Sequence, residues 1–395
     1  MRLLHISDLH FGKKLLEKDL LEDTAYAAGQ IIKIAREQAV DAILIAGDIY
    51  DKSTPTAEAV EAVDAFLAAL SELAEQGTET FIISGNHDSA ARLSYCAGLF
   101  GQHGIHIVTR PTAEIAHFSL RDEYGAVNFY LLPFVKSSAV RNLLERQSIS
   151  ENGGAGEQPA EIQPSKIQTA AQAVEALLAG TPIDVSQRNV LLAHLFVSGA
   201  AVCDSEELFT GGSAAVPAAL FDGFDYTALG HLHGPQRVGS DRIRYSGSPV
   251  RYSFSEINHN KSATLIELRE KGDISVSLIP ITPLHGMRII KGTLAELLSA
   301  PRSDDFIKAV LTDEIPPLNA AALLLEQYPN LLQIGVENSK TAAGELALEP
   351  EDDLPESQSV LELFFSFYQK QMNGVLPDRE QTALLKSLLE QEDGR

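Results

Sequence analysis

Cysteine is scarce in this sequence, with 2 residues in a chain of 395. Cys96 and Cys203 are far apart and show none of the spacings of a thiolate metal site. Two cysteines in a chain of this length also argue against a fold that depends on a disulfide framework. We therefore expect neither a cysteine-bound metal nor structural disulfides.

Long apolar runs are also missing. The apolar stretch around residues 190–203 is too short to span a bilayer, and His194 interrupts it. The residues from Met1 to His5 lead directly into a predicted strand, without the apolar region of a secretory signal peptide. These features predict a soluble cytoplasmic protein.

Basic residues are too few to balance the acidic ones. The chain has 31 Lys and Arg against 54 Asp and Glu, which gives a net charge of −23. Proteins that bind nucleic acid unaided usually neutralise its phosphates with Lys and Arg. The charge therefore argues against a free-standing nucleic-acid binder. It is compatible with a DNA-binding chain that uses divalent metals or a basic partner subunit.

The chain is long enough for two or three domains, and its 45% hydrophobic content is ordinary for a globular protein. Its first ninety residues alternate between short apolar runs and segments of helical periodicity. In order, these are a strand at 3–6, a helix at 15–38, a strand at 42–46, a helix at 55–75 and a strand at 81–83. This alternation predicts a parallel sheet with helical crossovers.

A polar cluster follows each of these three strands: Ser7-Asp8-Leu9-His10, Gly47-Asp48-Ile49-Tyr50-Asp51 and Gly85-Asn86-His87-Asp88. If the first strand continues, Asp8 and His10 point to the same side, because strand side chains alternate. Gly85 is expected to allow a sharp turn. Taken alone, the third cluster could equally be a loop held by local hydrogen bonds.

Two later predicted strands end in histidine. One ends at His194, and the other ends in Gly230-His231-Leu232-His233, so five of the 11 histidines lie at strand ends. A single histidine is more often structural than a ligand, but five at strand ends, together with Asp8 and Asp48, predict a metal centre.

Imidazole, carboxylate and amide ligands without thiolate suit Mn²⁺, Fe or Zn²⁺. The ligands are too many for one ion, and two ions roughly 3.5–4 Å apart that share a carboxylate account for them. Such a pair activates water and stabilises the attacking and leaving oxygens of a phosphoryl centre. The residues therefore predict hydrolysis of a phosphate ester, aided by an imidazole that is not bound to metal.

The rest of the chain divides by composition. Residues 1–280 form the first predicted domain, and 147–165 are a polar, Gly-rich flexible insertion within it. Residues 284–337 read as a small α/β domain, and 338–358 as an acidic linker. Residues 360–391 contain two amphipathic helices, which could pack on the body or dock a partner helix; we favour docking.

The motif order Asp-x-His, Gly-Asp-x-x-Asp, Gly-Asn-His-Asp, His and Gly-His-x-His resembles the calcineurin-like metallophosphoesterase superfamily. Within it, Arg92-Leu93-Ser94, the segment 194–199 and the segment 245–256 resemble the SbcD family of nuclease subunits. The resemblance implies an α/β fold: a metallophosphoesterase β-sandwich flanked by helices, with a small α/β cap domain and a C-terminal helical tail.

The resemblance also implies roles for the site residues. Asp8, His10 and His233 would bind one metal ion, and Asn86, His194 and His231 the other, with Asp48 bridging the two. His87 would be the imidazole without a metal, oriented by Asp88, while Asp51 would be structural. The metal of the family is usually Mn²⁺.

The implied activity is that of an ATP-dependent double-strand DNA exonuclease and single-strand or hairpin endonuclease in DNA repair, replication and recombination. An SbcC-type coiled-coil ATPase would be the partner, docked by residues 360–391, and a dimer of this chain would stand at the centre of a heterotetramer. Residues 284–337 would face DNA. Two rival interpretations are a phosphomonoesterase or cyclic-nucleotide phosphodiesterase, which needs neither cap nor tail, and a non-catalytic scaffold for DNA ends, which predicts a missing ligand.

Overall fold

The computed structural model describes residues 1–151, 164–203, 214–315 and 317–339, together with 365, 368–369, 376–379 and 381–382. The chain divides into two compact units, the first from Met1 to Leu284 and the second from His285 onward. Most of the predicted insertion at 147–165, of the predicted linker at 338–358 and of the predicted tail at 360–391 lies outside the described residues.

The strands of the first unit follow one another in chain order as β1 (Arg2–Ile6), β2 (Lys14–Leu15), β3 (Lys18–Asp19), β4 (Ala42–Ala46), β5 (Glu79–Ile83), β6 (Ile105–Val108), β7 (Ala116–Asp122), β8 (Gly125–Leu132), β9 (Arg188–His194), β10 (Tyr226–Gly230), β11 (Gln236–Val238), β12 (Ser240–Tyr245), β13 (Ser262–Leu268) and β14 (Ile274–Pro280). Its helices are α1 (Leu21–Glu37), α2 (Ala57–Ala74), α3 (Ala90–Leu93), α4 (Ala97–Gly101), α5 (Ser137–Glu151) and α6 (Ala170–Ala179).

Two six-stranded sheets form a sandwich. The first has the order β14-β13-β1-β4-β5-β6 and the second the order β11-β12-β10-β9-β8-β7. Strands β1, β4, β5 and β6 are parallel, as are β8, β9, β10 and β12. The predicted β-α-β-α-β start and the sandwich flanked by helices are therefore confirmed. The carboxyl ends of the parallel strands of each sheet lie along a common edge, where side chains from successive loops meet.

Apolar residues fill three layers of the first unit. The central layer lies between the two sheets and includes Leu44, Phe81 and Tyr226. The outer layers bury the apolar faces of α1 and α2 on one side and of α6 on the other. Both faces of β4 are covered, which explains its uninterrupted apolar sequence.

Two predicted helix starts differ from the structure. Residues 15–20 were expected to begin a helix, but β2 and β3 form a hairpin there, with Leu16 in the left-handed region (φ 55°). A left-handed residue does not fit an α-helix and the hairpin runs to Asp19, so α1 begins only at Leu21. The second helix begins at Ala57 rather than Pro55, because the Thr56 hydroxyl accepts a hydrogen bond from the Ala59 N–H (3.3 Å) and caps it.

The second unit contains a three-stranded parallel sheet of β15 (Met287–Gly292), β16 (Phe306–Leu311) and β17 (Leu331–Val336), with helices α7 (Leu294–Ser299) and α8 (Ala320–Gln327). The helices cover an apolar cluster that includes Leu297, Ile307 and Leu324. Sequence reasoning missed α7, although Thr293 and Glu296 form a capping box that the pattern Thr-x-x-Glu indicates. No helix in the described parts of either unit is long and apolar enough to cross a membrane.

Asp122 links β7 to β9 at the end of the sandwich opposite the loops that follow the parallel strands. Its carboxylate accepts hydrogen bonds from the buried guanidinium of Arg188, one of them at 3.0 Å, which hold the pKa of Asp122 well below its usual range. Because the folded pKa lies below the unfolded value of about 3.9, this contribution is present at neutral pH and is lost as pH falls below about 4.

We expect Asp122→Asn to lower the free energy of unfolding at pH 7 by roughly 1.5–3 kcal/mol, the typical worth of a hydrogen bond to a charged group. Urea unfolding between pH 7 and pH 3 should show the wild type converging on the variant as the pH falls. The control is Asp273→Asn, which removes an exposed carboxylate 3.1 Å from Arg269 and should change stability little. A difference between wild type and Asp122→Asn that is constant with pH would contradict this account.

Candidate dinuclear metal centre

The loops that follow β1, β4, β5, β9 and β10 bring the predicted site residues together at one edge of the sandwich. The first sheet supplies β1, β4 and β5, and the second supplies β9 and β10. The residues at this edge are Asp8, His10, Asp48, Asn86, His87, His194, His231 and His233. All but Asn86 and His87 are buried.

Asp8, His10 and His233 form one group, in which a carboxylate oxygen and two ring nitrogens lie within 4.8 Å of one another. The Nε2 atoms of His10 and His233 are 3.2 Å apart. The other ring nitrogen of His10, Nδ1, lies 3.6 Å from the Asp51 carboxylate, beyond hydrogen-bond distance. Two buried ring nitrogens that face one another, as these Nε2 atoms do, are the arrangement expected where a cation completes the site.

Asn86, His194 and His231 form the second group. The side-chain carbonyl oxygen of Asn86 lies 2.9 Å from His194 Nε2 and 3.0 Å from His231 Nδ1. The Nδ1 of His194 donates to the carbonyl of Ala46 (2.8 Å), which fixes the orientation of that ring. A ring held in this way by a backbone carbonyl presents its other nitrogen to a metal.

Asp48 lies between the two groups. Its Oδ2 is 3.7 Å from His10 Nε2 and 3.3 Å from His194 Nε2, so it faces one residue of each group. Its Oδ1 accepts the backbone N–H of His87 (2.9 Å). This position suits the bridging role expected of Asp48.

Four of the predicted ligands have a left-handed backbone: Asp8 (φ 55°), His10 (46°), Asp48 (52°) and His231 (104°). The expectation that strand alternation brings Asp8 and His10 together is wrong, because β1 ends at Ile6. The left-handed turns bring the side chains together instead. Such backbone conformations cost free energy and cluster at functional sites, where the surrounding structure imposes them.

Gly85 and Gly230 allow the site loops to approach one another. A Cβ on Gly85 would lie 2.1 Å from Asp48 Oδ1, and a Cβ on Gly230 would lie 1.8 Å from the carbonyl oxygen of Ala46. Gly85 does not have a positive φ, so the sharp turn expected of it is not what requires glycine. Lack of space next to Asp48 excludes a larger side chain there.

The orientation of His87 differs from the expectation. The ring donates from Nδ1 to the backbone carbonyl of Asp51 (2.8 Å), not to Asp88. The carboxylate of Asp88 accepts three backbone N–H bonds instead, from Gly85 (2.9 Å), Tyr50 (3.0 Å) and Ile49 (3.2 Å). Asp88 therefore shapes the loops that carry Asp48 and Asn86, and Asp51 orients the His87 ring.

Several solved structures are similar to this chain. A dimetal phosphatase from Danio rerio is 14% identical, with a TM-score of 0.41, over 71% of this chain and 96% of that one. A protein of Thermus thermophilus is 14% identical, with a TM-score of 0.39, over 70% and 98%. YfcE, a phosphoesterase from E. coli, is 14% identical, with a TM-score of 0.27, over 71% and 100%.

A family model described as calcineurin-like phosphoesterase matches residues 1–235. The chain belongs to this family. A second model, the SbcD C-terminal domain, described as the type 5 capsule protein repressor C-terminal domain, matches residues 283–372. The two matches together support an SbcD-type calcineurin-like phosphoesterase.

Calcineurin-like phosphoesterases bind a dimetal centre, and the residues present here fit one. The donor set of carboxylates, imidazoles and an amide oxygen suits hard or borderline divalent ions. Asp48 faces both groups, and the Nε2 atoms of His10 and His233 face each other without a protein group between them. Of the cysteines, Cys203 has its Sγ grouped with His233 and Glu256 rather than with the other predicted ligands.

Burial and neighbouring charges both shift the pKa values of the residues at this phosphoesterase site. Burial raises the pKa of Asp8 to about 6 and lowers that of His231 to about 3. Burial alone would lower the pKa of His194, but the Asp48 carboxylate outweighs it and raises the pKa to about 9. Burial works against the Asp48 charge as well, but His194 and its other histidine neighbours hold the pKa of Asp48 far below its usual range. The Asp48 carboxylate and the His194 ring therefore favour each other's charged form.

Sequence reasoning missed three residues around the site. The Tyr252 hydroxyl donates to the carbonyl of Leu9 (2.5 Å), and its ring packs edge-on against His10 and His233. Lys261 and Glu256 form a buried ion pair behind His233. The segment 245–256, which carries the family resemblance, contains Tyr252 and Glu256, but nothing in its pattern indicates which element they contact.

We expect Asp48→Asn to weaken both metal positions, because Asp48 faces both groups and the amide carries no charge. In the wild type, Mn²⁺ at 100 times its dissociation constant should add about 2.7 kcal/mol of stability per site. Thermal unfolding with increasing Mn²⁺ should show this gain in the wild type and little of it in the variant. The exposed change Asp273→Asn serves again as the control. Unchanged stabilisation of Asp48→Asn by Mn²⁺ would remove Asp48 from the ligand set.

Proposed function

We propose that this phosphoesterase is a two-metal DNA nuclease, the catalytic subunit of an SbcCD-like complex. The observation that carries the proposal is that one chain contains both a set of donors suited to two metal ions and a region, residues 283–372, that matches the SbcD C-terminal domain. A phosphomonoesterase needs no such second domain. The activities proposed are ATP-dependent double-strand exonuclease and single-strand or hairpin endonuclease action in DNA repair, replication and recombination.

In this proposal Asp8, His10 and His233 hold one ion, most simply Mn²⁺, while Asn86, His194 and His231 hold the other and Asp48 bridges them. The bound ions would supply positive charge that stabilises the attacking and leaving oxygens of the phosphodiester. The left-handed turns at Asp8 and Asp48 fix the donors before substrate arrives, so little reorganisation is needed.

His87 is the group proposed to act on the leaving oxygen. Because the Asp51 carbonyl can only accept, Nδ1 of His87 carries a hydrogen, and Nε2 is left for the substrate. In the charged ring Nε2 can protonate the leaving oxygen as the phosphodiester bond breaks. Asp88 supports this arrangement through the backbone of Gly85 and Tyr50 and does not touch the substrate.

The proposed partners follow from the second unit and from the charge. An SbcC-type ATPase would dock on residues 360–391, and residues 284–337 would face DNA. With 54 acidic residues against 31 basic ones, most of the affinity for DNA would come from the metals and the partner. We expect DNA binding by the isolated chain to be weak.

A homodimer is the proposed core of the complex. Supporting it are exposed apolar side chains on α2, on α4 and in the turn between α3 and α4: Tyr95 is 79% exposed, Leu99 57% and Val60 44%, and Tyr95 and Val60 line one cavity. Monomeric soluble proteins rarely leave large apolar side chains clustered in this way. Self-association through this Tyr95 patch would bury them.

The test is cleavage of an end-labelled DNA hairpin in Mn²⁺ by the full chain, with and without an SbcC-type partner and ATP. We expect cutting that the partner and ATP stimulate and that Asp48→Asn abolishes. Absence of DNA cleavage alongside rapid hydrolysis of a small phosphodiester would leave a generic metallophosphoesterase. Binding of DNA ends without any hydrolysis would favour the scaffold interpretation.

A further inference from the structure

A buried ion pair lies behind the metal centre and is not part of the proposed ligand set. Glu256 is 0% exposed and Lys261 is 6% exposed, and the Lys261 Nζ is 2.5 Å from Glu256 Oε2. Burying two charges costs free energy, which their attraction repays only when further hydrogen bonds satisfy both. A pair of this kind adds little stability, so its contacts with neighbouring residues point to another role.

Both members of the pair contact His233. Lys261 Nζ donates to the backbone carbonyl of His233 (2.9 Å), and Glu256 Oε1 lies 3.4 Å from the ring Nδ1 of the same residue. The ring and the main chain of His233 are thus held by two side chains that also hold each other. The opposite ring nitrogen of His233 is the one that lies 3.2 Å from His10 Nε2.

Other contacts anchor the pair in the fold. Glu256 Oε1 also accepts the backbone N–H of Tyr252 (3.2 Å), and Lys261 also donates to the Ser248 hydroxyl (2.7 Å). The Lys261 ammonium and the Tyr252 N–H both donate to the Glu256 carboxylate, which faces the His233 ring as a hydrogen-bond acceptor.

We propose that Glu256 and Lys261 are positioning residues for His233: Glu256 fixes its ring so that Nε2 points at the first metal position, and Lys261 fixes its main chain and Glu256. Histidines that bind metals usually donate their second ring N–H to a carboxylate or carbonyl, and loss of that partner typically weakens the metal site about 10–100-fold. This inference rests on the proposed metal centre and extends it to residues outside the ligand set.

The experiment measures Mn²⁺ stoichiometry and affinity of the full metal-free chain by isothermal titration calorimetry. The wild type is expected to bind two ions. In Glu256→Gln one ion should bind about 10–100-fold more weakly while the other is unchanged. Because Glu256→Gln leaves the Lys261 charge buried, the double variant Glu256→Gln/Lys261→Met is measured as well. It removes both charges, should restore the thermal stability of the metal-free protein, and should still bind the first ion weakly.

Asp225→Asn is the matched control. Asp225 is a buried carboxylate paired with Lys271 (2.8 Å), and it lies directly before β10, at the end of the strand away from His231. This variant should lose stability and keep both Mn²⁺ affinities. As a second readout, the Glu256→Gln variant should lose kcat for bis-p-nitrophenyl phosphate with little change in KM.

Two results would overturn the inference, and they can be told apart. If the wild type binds two Mn²⁺ ions and the folded double variant binds both with wild-type affinity, the pair is only structural and the metal centre stands. If the wild type binds fewer than two ions, the dinuclear centre itself is wrong, and the positioning role is lost with it.

Discussion

His87→Ala is expected to lower kcat for phosphodiester hydrolysis by about 10²–10⁴-fold, the usual contribution of a general acid, while both Mn²⁺ ions stay bound. The reason is geometric. The His87 ring donates from Nδ1 to the Asp51 carbonyl, and its centroid lies 4.8 Å from that of His10. His87 is therefore next to the proposed metal centre but is not one of its proposed ligands. Single-turnover kinetics with a saturating hairpin substrate would measure the chemical step.

The metal content of the variant decides between two roles for His87. Because His10, Asp48 and His87 also have donor atoms within 4.8 Å of one another, His87 could instead be a ligand. In that case the variant would lose a metal ion along with its activity, and the general-acid role would be wrong. His103→Ala, which removes an exposed imidazole of the same unit, should leave both rate and metal content unchanged.

Gly230→Ala is expected to prevent the metal centre from forming and to destabilise the fold by about 4 kcal/mol or more. Gly230 ends β10 in the second sheet, and Ala46 ends β4 in the first. A methyl group at Gly230 would lie 1.8 Å from the Ala46 carbonyl oxygen and 2.8 Å from His194 Nδ1. The backbone carbonyl cannot move aside without displacing Asp48, so the two sheets would have to separate where the ligands meet.

Guanidinium unfolding and Mn²⁺ titration of Gly230→Ala would test this expectation. The control is Gly29→Ala within α1, where an added Cβ meets nothing within 4 Å. Because alanine is the better helix former, that change should stabilise the protein by roughly 0.5–1 kcal/mol. A Gly230→Ala variant with wild-type stability and two bound ions would show that the sheets tolerate a wider gap at this point.

Some features of this protein could be predicted from local sequence because their signals are local. The buried strand at Ala42–Ala46 lies where its apolar run predicts, and the helical periodicity of residues 57–74 places α2 to within two residues. The polar residues at the ends of five predicted strands identified the eight residues that lie at one edge of the sandwich. The spacing of apolar side chains shows which face of a helix or strand is buried. The motif residues follow directly after the strands, so the same local pattern locates them.

The sequence by itself determined most of the first strands and helices, the parallel order of those strands and the set of residues proposed as metal donors. Only the tertiary structure decided how those donors meet: through left-handed turns at Asp8 and His10 rather than strand alternation, and through the close approach of Gly230 to Ala46. The tertiary structure also shows that Asp51 faces Nδ1 of the His87 ring and that Glu256 faces Nδ1 of the His233 ring. These contacts join residues far apart in the chain. Their geometry depends on how the two sheets pack, which no local period encodes.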